Sequence, residues 1–437
     1  MQGARSPSSK GGKQDSVTRA AYAGPAIRAA TTMSKTAKEV VTDFRNLYDA
    51  MQHCANGVRW KASVIKYLQN GLANTEKLRQ ELLDGTYKLG KQIEFKVYEP
   101  KERTVVAMRF RDRQAQRSLL HNYLAAELTR HFIYNNAAGQ AGKGPDFSIR
   151  RVKMMLEKAH RLYGDNVYAY TYDIKSFFGS TRHDVAKASV RKRVRDDWAC
   201  LLVDQIIDSF PGDTGIGLGS DVAQYIELAV LDDLDHFIKE RLHVRFYARY
   251  MDDFIIITDD KGHAAEYRCA IEQELARIHL QLHPRKCRVV PVSRGFKWLG
   301  FRLRVKPSGK ILVTLSKDKI YHERRKLKKM VKLIKAGKLP RDTADVSLRC
   351  WAAHAAHGNN YNVIKKMYEY YRNLWRDANV QGNHNGRALT ESGNNKPSPA
   401  LSARSERSTN YICRNDERRR PAGHIRRGTA DADDRRK

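Results

Sequence analysis

Residues 245–258 read RFYARYMDDFIIIT, two arms of β-forming residues on either side of Met251-Asp252-Asp253. Successive side chains of an extended strand point to opposite faces, so adjacent aspartates converge only where the chain bends. The segment therefore predicts a strand, a turn and a second strand, with two carboxylates at the tip. Two like charges crowded together are unfavourable unless a cation joins them. A solvated Asp-Asp surface turn would give the same pattern, so this segment alone leaves both readings open.

A third carboxylate bears on that choice. In the run NVYAYTYDIKSFF, alternation puts Val167, Ala169, Thr171 and Asp173 on one strand face and Tyr168, Tyr170, Tyr172 and Ile174 on the other. Asp173 thus ends a strand expected over 166–174 and buried on one face, where a charge needs a partner. Packed beside the hairpin, it would complete a three-carboxylate cage. Mg²⁺ prefers hard oxygen ligands and suits two or three carboxylates with substrate phosphates. Two such ions can stabilise the attacking and leaving oxygens of an in-line phosphoryl displacement.

Around these segments the pattern alternates between helix and strand. Helical periodicity covers 38–84, 112–135 and 147–163, and a strand is expected at 92–98. A polar helix at 183–196, a Gly-rich turn at 211–219 and a helix at 221–241 follow. After the hairpin come a helix at 262–280 and a strand pair within 287–305. A basic helix at 315–336 and a helical, aromatic stretch at 345–376 close the patterned region.

Taken in order, these residues resemble the reverse transcriptases. Tyr250-Met251-Asp252-Asp253 is similar to the catalytic hairpin of that family. Asp173-Ile174-Lys175-Ser176-Phe177-Phe178, about 80 residues earlier, is similar to its preceding catalytic strand. The resemblance runs from about Glu94 to Trp375 and implies an α+β right-hand polymerase fold of fingers, palm and thumb. It implies domains at 1–35 (flexible basic arm), 36–165 (N-terminal helices and fingers) and 166–305 (palm with the aspartates). The remaining divisions are 306–376 (helical basic thumb) and 377–437 (disordered basic tail).

The resemblance also implies roles. Asp173, Asp252 and Asp253 would hold two Mg²⁺ ions, with Mn²⁺ as substitute, and Lys286 would protonate pyrophosphate. Lys101 and Arg103 would contact the triphosphate, with Arg109, Arg111 and Arg113 nearby on a helix whose basic face could equally be solvated. Phe178 matches the position whose ring excludes a ribose 2′-hydroxyl, although a core Phe would look the same. Gly219 and Gln224 fall in the segment supporting template and nucleotide, which a plain Gly-rich turn also explains. Trp298, Leu299 and Gly300 match the primer grip, for which apolar hairpin packing is the alternative. Gly142-Lys143-Gly144 matches a fingers loop.

Charge identifies the kind of partner. The 81 Lys+Arg exceed the 48 Asp+Glu by 33, an excess that favours a polyanion. Structured RNA, primer, cDNA product and dNTPs are the partners the resemblance implies, with room for a small accessory protein, and no membrane. No apolar run approaches the roughly 18 residues of a span, and no apolar core follows the basic N-terminal residues, so a cytoplasmic location is expected. The six cysteines form no C-x-x-C pair, which points to reduced thiols. No nuclease-like set of carboxylates or paired His and Cys follows Trp375, which fits a stand-alone prokaryotic enzyme. The runs VYEPKERTVVAMRFRDRQAQ and VVPVSRGFKWLGFRL are most similar to diversity-generating retroelement enzymes, where template RNA becomes error-prone cDNA. That group usually has Ser-Gln where this chain has Ala223-Gln224. A defence-associated enzyme with its own non-coding RNA is the nearest rival. An inactive RNA-binding polymerase fold is disfavoured by the three aspartates.

Overall fold

The computed structural model describes residues 35–98, 102–217 and 219–380. The expected N-terminal arm before Lys35, the expected tail beyond Val380, and Lys101 lie outside the described residues. The chain forms two compact units, one within Met1–His131 and Thr181–Val230, the other within Phe132–Ser180 and Leu231–Lys437. The segment at 181–230, expected within the palm division, thus belongs with the N-terminal helices.

The first half of the chain contains α1 (Ala37–Val41), α2 (Phe44–Ala55), α3 (Ala62–Gln69), α4 (Gly71–Leu83), β1 (Ile93–Val97), β2 (Arg103–Ala107) and α5 (Phe110–Leu119). A π-helical turn Leu120–Leu124, α6 (Ala125–Thr129), α7 (Pro145–Tyr163), β3 (Tyr168–Asp173), α8 (Phe177–Ser180), α9 (His183–Arg191), α10 (Asp197–Asp208) and α11 (Asp221–Val230) follow. Next come α12 (Asp232–His236), a second π turn Phe237–Arg241, β4 (Phe246–Tyr250), β5 (Asp253–Thr258), α13 (His263–Arg277) and β6 (Arg288–Pro291). The chain continues through β7 (Phe296–Trp298), β8 (Phe301–Val305), β9 (Ile311–Leu315), α14 (Lys317–Lys335), α15 (Asp342–Ala356) and α16 (Tyr361–Val380). Helices alternate with strands along the chain, and the strands pair only into antiparallel sheets, an α+β arrangement. Among the described residues no helix is long and apolar enough to cross a membrane.

In the first unit, Asp43 caps α2 by accepting from the Asn46 backbone N–H, and α2 buries Leu47, Met51 and Cys54. Opposite lies α5, which buries Asp112, Gln114, Gln116 and Ser118 alongside Ala115 and Leu119. Asp112 accepts from Tyr87 Oη and Gly90 N, each at 3.0 Å, while Ser118 Oγ donates to Val41 O at 2.7 Å. Gln114 Nε2 donates to Leu47 O and Thr75 Oγ1. These bonds offset the cost of burying the groups and fix the helix rotation.

The second unit holds a four-stranded antiparallel sheet in the order β4-β5-β3-β6. The strand expected to be half-buried is its interior strand β3, flanked by β5 and β6, with Ala169, Tyr170 and Tyr172 all buried. Tyr172 stacks on Phe254 at 4.9 Å, so the tyrosine face is covered too. A core including Val152, Leu156, Ala169, Ile255, Trp298 and Phe301 joins this sheet to α7 and to the sheet β7-β8-β9.

The strand pair expected within 287–305 divides between these two sheets: β6 pairs with β3, and β7 and β8 pair with each other. Strand β9, not anticipated, adds to β8 beyond residue 305. The helix expected over 345–376 is interrupted at 357–360, where the loop docks on β9. Asn359 Oδ1 and Asn360 Oδ1 accept from the Val313 and Leu315 N–H groups, and a Cβ on Gly358 would lie 2.5 Å from Val313 O. The helix expected over 221–241 likewise breaks at Leu231 and ends in a π turn. Helices α14, α15 and α16 bury Leu327, Val331, Leu348 and Met367 together.

Candidate active site

Tyr250 pairs with Asp253 across β4 and β5, which leaves Met251 and Asp252 as a two-residue turn. Met251 adopts φ 55, the left-handed region that a non-glycine residue enters only at a cost. On its other side β5 pairs with β3 so that Asp173 stands directly opposite Asp253. Cross-strand partners on one face approach closely. Asp173, 80 residues before Asp253, therefore joins the adjacent Asp252 and Asp253 at one end of the sheet.

Lys286 joins them. Its Nζ donates to both oxygens of Asp173, each at 2.7 Å. The loop carrying Lys286 is tied to the chain around Asp173: His283 N donates to Asp173 O at 2.7 Å, and Lys175 N to Gln281 O at 2.9 Å. Asp173 is 8% exposed, so its charge is stabilised chiefly by that ammonium. Asp253 has no such partner. Burial, then the Asp252 and Asp173 charges, push its carboxyl from 3.8 up to about 7, while Lys286 pulls it down. Among the described residues no group of three or more His, Cys, Asp or Glu side chains is already arranged to hold a metal ion.

Phe178 lies on α8 and is partly exposed, with Phe177 buried beneath it edge-on at 5.7 Å. The ring expected to meet a sugar is thus not a core Phe. Trp298 is a core residue: it is 3% exposed and its indole donates to Ser148 Oγ at 3.1 Å. Leu299 and Gly300, with φ 46 and 85, form the partly exposed turn between β7 and β8.

Arg103, Gly219 and Gln224 belong to the first unit. Arg103 is exposed at the start of β2, and Gln224 is exposed on α11 beside Ala223, which is fully buried. Gly219 has φ 130, and a Cβ there would lie 2.7 Å from Val106 O. Its glycine is explained by close packing on β2. Arg111 pairs with Glu81 and covers the Tyr87 ring at 4.9 Å, so it is not simply a solvated charge. Lys143 Nζ donates to Tyr134 O, Asn136 O and Gln140 Oε1, each at 3.0 Å, and so braces its own loop.

Sequence reasoning missed a buried group beneath the turn. Arg249 and Asp235 are both fully buried, and Arg249 Nε and Nη2 donate to the Asp235 carboxylate at 2.7–2.9 Å. Tyr247 Oη donates to Asp235 Oδ1 at 2.6 Å. The available signal was an arginine inside an otherwise buried strand, a position that demands an anionic partner.

Residues 100–303 match the family described as "Reverse transcriptase (RNA-dependent DNA polymerase)". No protein of curated function matches the chain.

Proposed function

We propose that this chain, an RNA-directed DNA polymerase and so a nucleotidyltransferase through the reverse transcriptase domain at 100–303, performs its chemistry at Asp173, Asp252 and Asp253. The register that sets Asp173 opposite Asp253, with Asp252 in the adjoining turn, carries this reading. These carboxylates would hold two Mg²⁺ ions, with Mn²⁺ as substitute. The donor set fits: all three ligands are hard oxygens, and burial, with the Asp252 and Asp173 charges beside it, penalises the Asp253 anion in a way a cation would relieve. When bound, such ions supply activation of the primer 3′-hydroxyl and charge neutralisation at the leaving pyrophosphate.

The chain's own residues do the rest. Asp173, paired with Lys286 in this structure, would hold a cation when one is bound, and Lys286 would supply a proton to pyrophosphate. Lys101 and Arg103 orient the triphosphate, Phe178 excludes the 2′-hydroxyl, Gly219 and Gln224 support template and nucleotide, and the Leu299–Gly300 turn holds the primer. Replacing Asp252 with Asn is expected to abolish primer extension while RNA affinity stays near wild type in a filter-binding assay. Synthesis by that variant would refute the carboxylate reading.

The template is, in this reading, a dedicated structured RNA, and the setting a diversity-generating retroelement. The similarity of the segments at 97–116 and 289–303, together with Gln224, supports that setting, while Ala223 departs from it. Sequencing the RNA and cDNA that co-purify with the protein tests it. One RNA with cDNA substituted at template adenines is expected. Faithful or repetitive cDNA accumulating on phage infection would favour the defence role instead.

A further inference from the structure

The Met251–Asp252 turn is held from below. Arg249 Nη1 donates to Met251 O at 3.2 Å, while its other nitrogens grip Asp235. Met251 O belongs to the peptide that leads into Asp252, so this bond fixes the plane from which the Asp252 carboxylate projects. The left-handed φ of Met251 needs such an external tie, because a non-glycine residue relaxes from it when free.

Arg249 is itself immobilised along its whole length. Its backbone N–H donates to Asn135 O at 3.2 Å, and its carbonyl accepts from Ala137 N at 3.1 Å. Asn135 Nδ2 donates to Tyr247 O at 3.0 Å, so the 135–137 segment closes the outer edge of β4. Asp235 comes from α12 and spans Arg249 and Tyr247 with one carboxylate. The guanidinium is thus held in place on Asp235 while its Nη1 reaches the turn at Met251 O.

We propose that Arg249, oriented by Asp235, is a positioning residue that sets the Asp252 carboxylate for cation binding and catalysis. This rests on the carboxylate reading above. An arginine is required because its fork grips Asp235 with two nitrogens and reaches Met251 O with a third, which a lysine ammonium on one stem cannot do.

Arg249→Met alone would strand a buried carboxylate and could unfold the protein. The test is therefore the double variant Arg249→Met/Asp235→Asn, which removes both charges together, compared with wild type and Asp252→Asn in the full chain. Mn²⁺ affinity is read from the free-ion EPR signal, folding from the thermal midpoint, and kcat and KM from primer extension. The double variant is expected to melt within a few degrees of wild type, to bind Mn²⁺ about tenfold more weakly, and to lose at least tenfold in kcat with dNTP KM little changed. Arg249→Lys should fall between the two. A folded double variant with wild-type Mn²⁺ affinity and kcat would overturn the positioning role. Wild-type Mn²⁺ binding that Asp252→Asn leaves intact would overturn the carboxylate reading, and the positioning role with it.

Discussion

Asp253 and Phe178 show what single side chains contribute. The Asp253 carboxyl stands at about 7 in the folded chain against 3.8 ordinarily, because burial and two neighbouring carboxylates oppose its charge. Between those values the folded chain keeps a proton that the unfolded chain has released. Metal-free stability therefore falls as pH rises from about 4 to about 7 and stays low above that. In chelator, Asp253→Asn should raise the thermal midpoint by a few degrees at pH 8 and hardly at all at pH 4. Equal midpoints at pH 8 would contradict the charge cluster. Phe178, partly exposed above Phe177, is expected to govern sugar choice. Phe178→Ala should raise ribonucleotide incorporation relative to deoxyribonucleotide at least tenfold in competition assays, with unchanged melting. Its spacing from Asp173 left a core ring as the alternative; its neighbours in the fold show it partly exposed.

At the scale of elements, turns and loop contacts govern the site more than helix propensity does. The two-residue turn at Met251 and Asp252 was legible because two β-rich arms flank a polar pair. The helices expected to be continuous at 221–241 and 345–376 were not, since their breaks answer to tertiary partners. Asn359 and Asn360 satisfy N–H groups of β9, a strand more than forty residues away that periodicity did not reveal. Gly219 makes the same point in the first unit, where α11 begins against β2. Gly219→Ala would meet Val106 O at a conformation that L residues rarely adopt, costing about 1–3 kcal/mol. A thermal midpoint lowered by several degrees is the expected result, whereas an unchanged midpoint would mean that the segment shifts freely.

The whole molecule carries +33, an excess its own acidic residues cannot neutralise, so phosphate contacts should dominate its affinity for RNA. Between 50 and 200 mM salt the association constant is expected to fall by about 10³ or more, with the same slope for wild type and Asp252→Asn. A flat salt response would mean that the excess charge serves something other than nucleic acid. The sequence by itself made the strand ending at Asp173 and the strand–turn–strand around Asp252 and Asp253 legible, because alternation and a carboxylate pair between two β-rich arms are local patterns, while the α+β class came with the family resemblance. Only the tertiary structure decided that Asp173 faces Asp253, that Lys286 closes on Asp173, that Trp298 is core, and that Arg249 and Asp235 lie beneath the turn. Those are matters of register and of charge pairing between distant segments, and a buried arginine announces only that a partner exists, not which of 48 acidic residues it is.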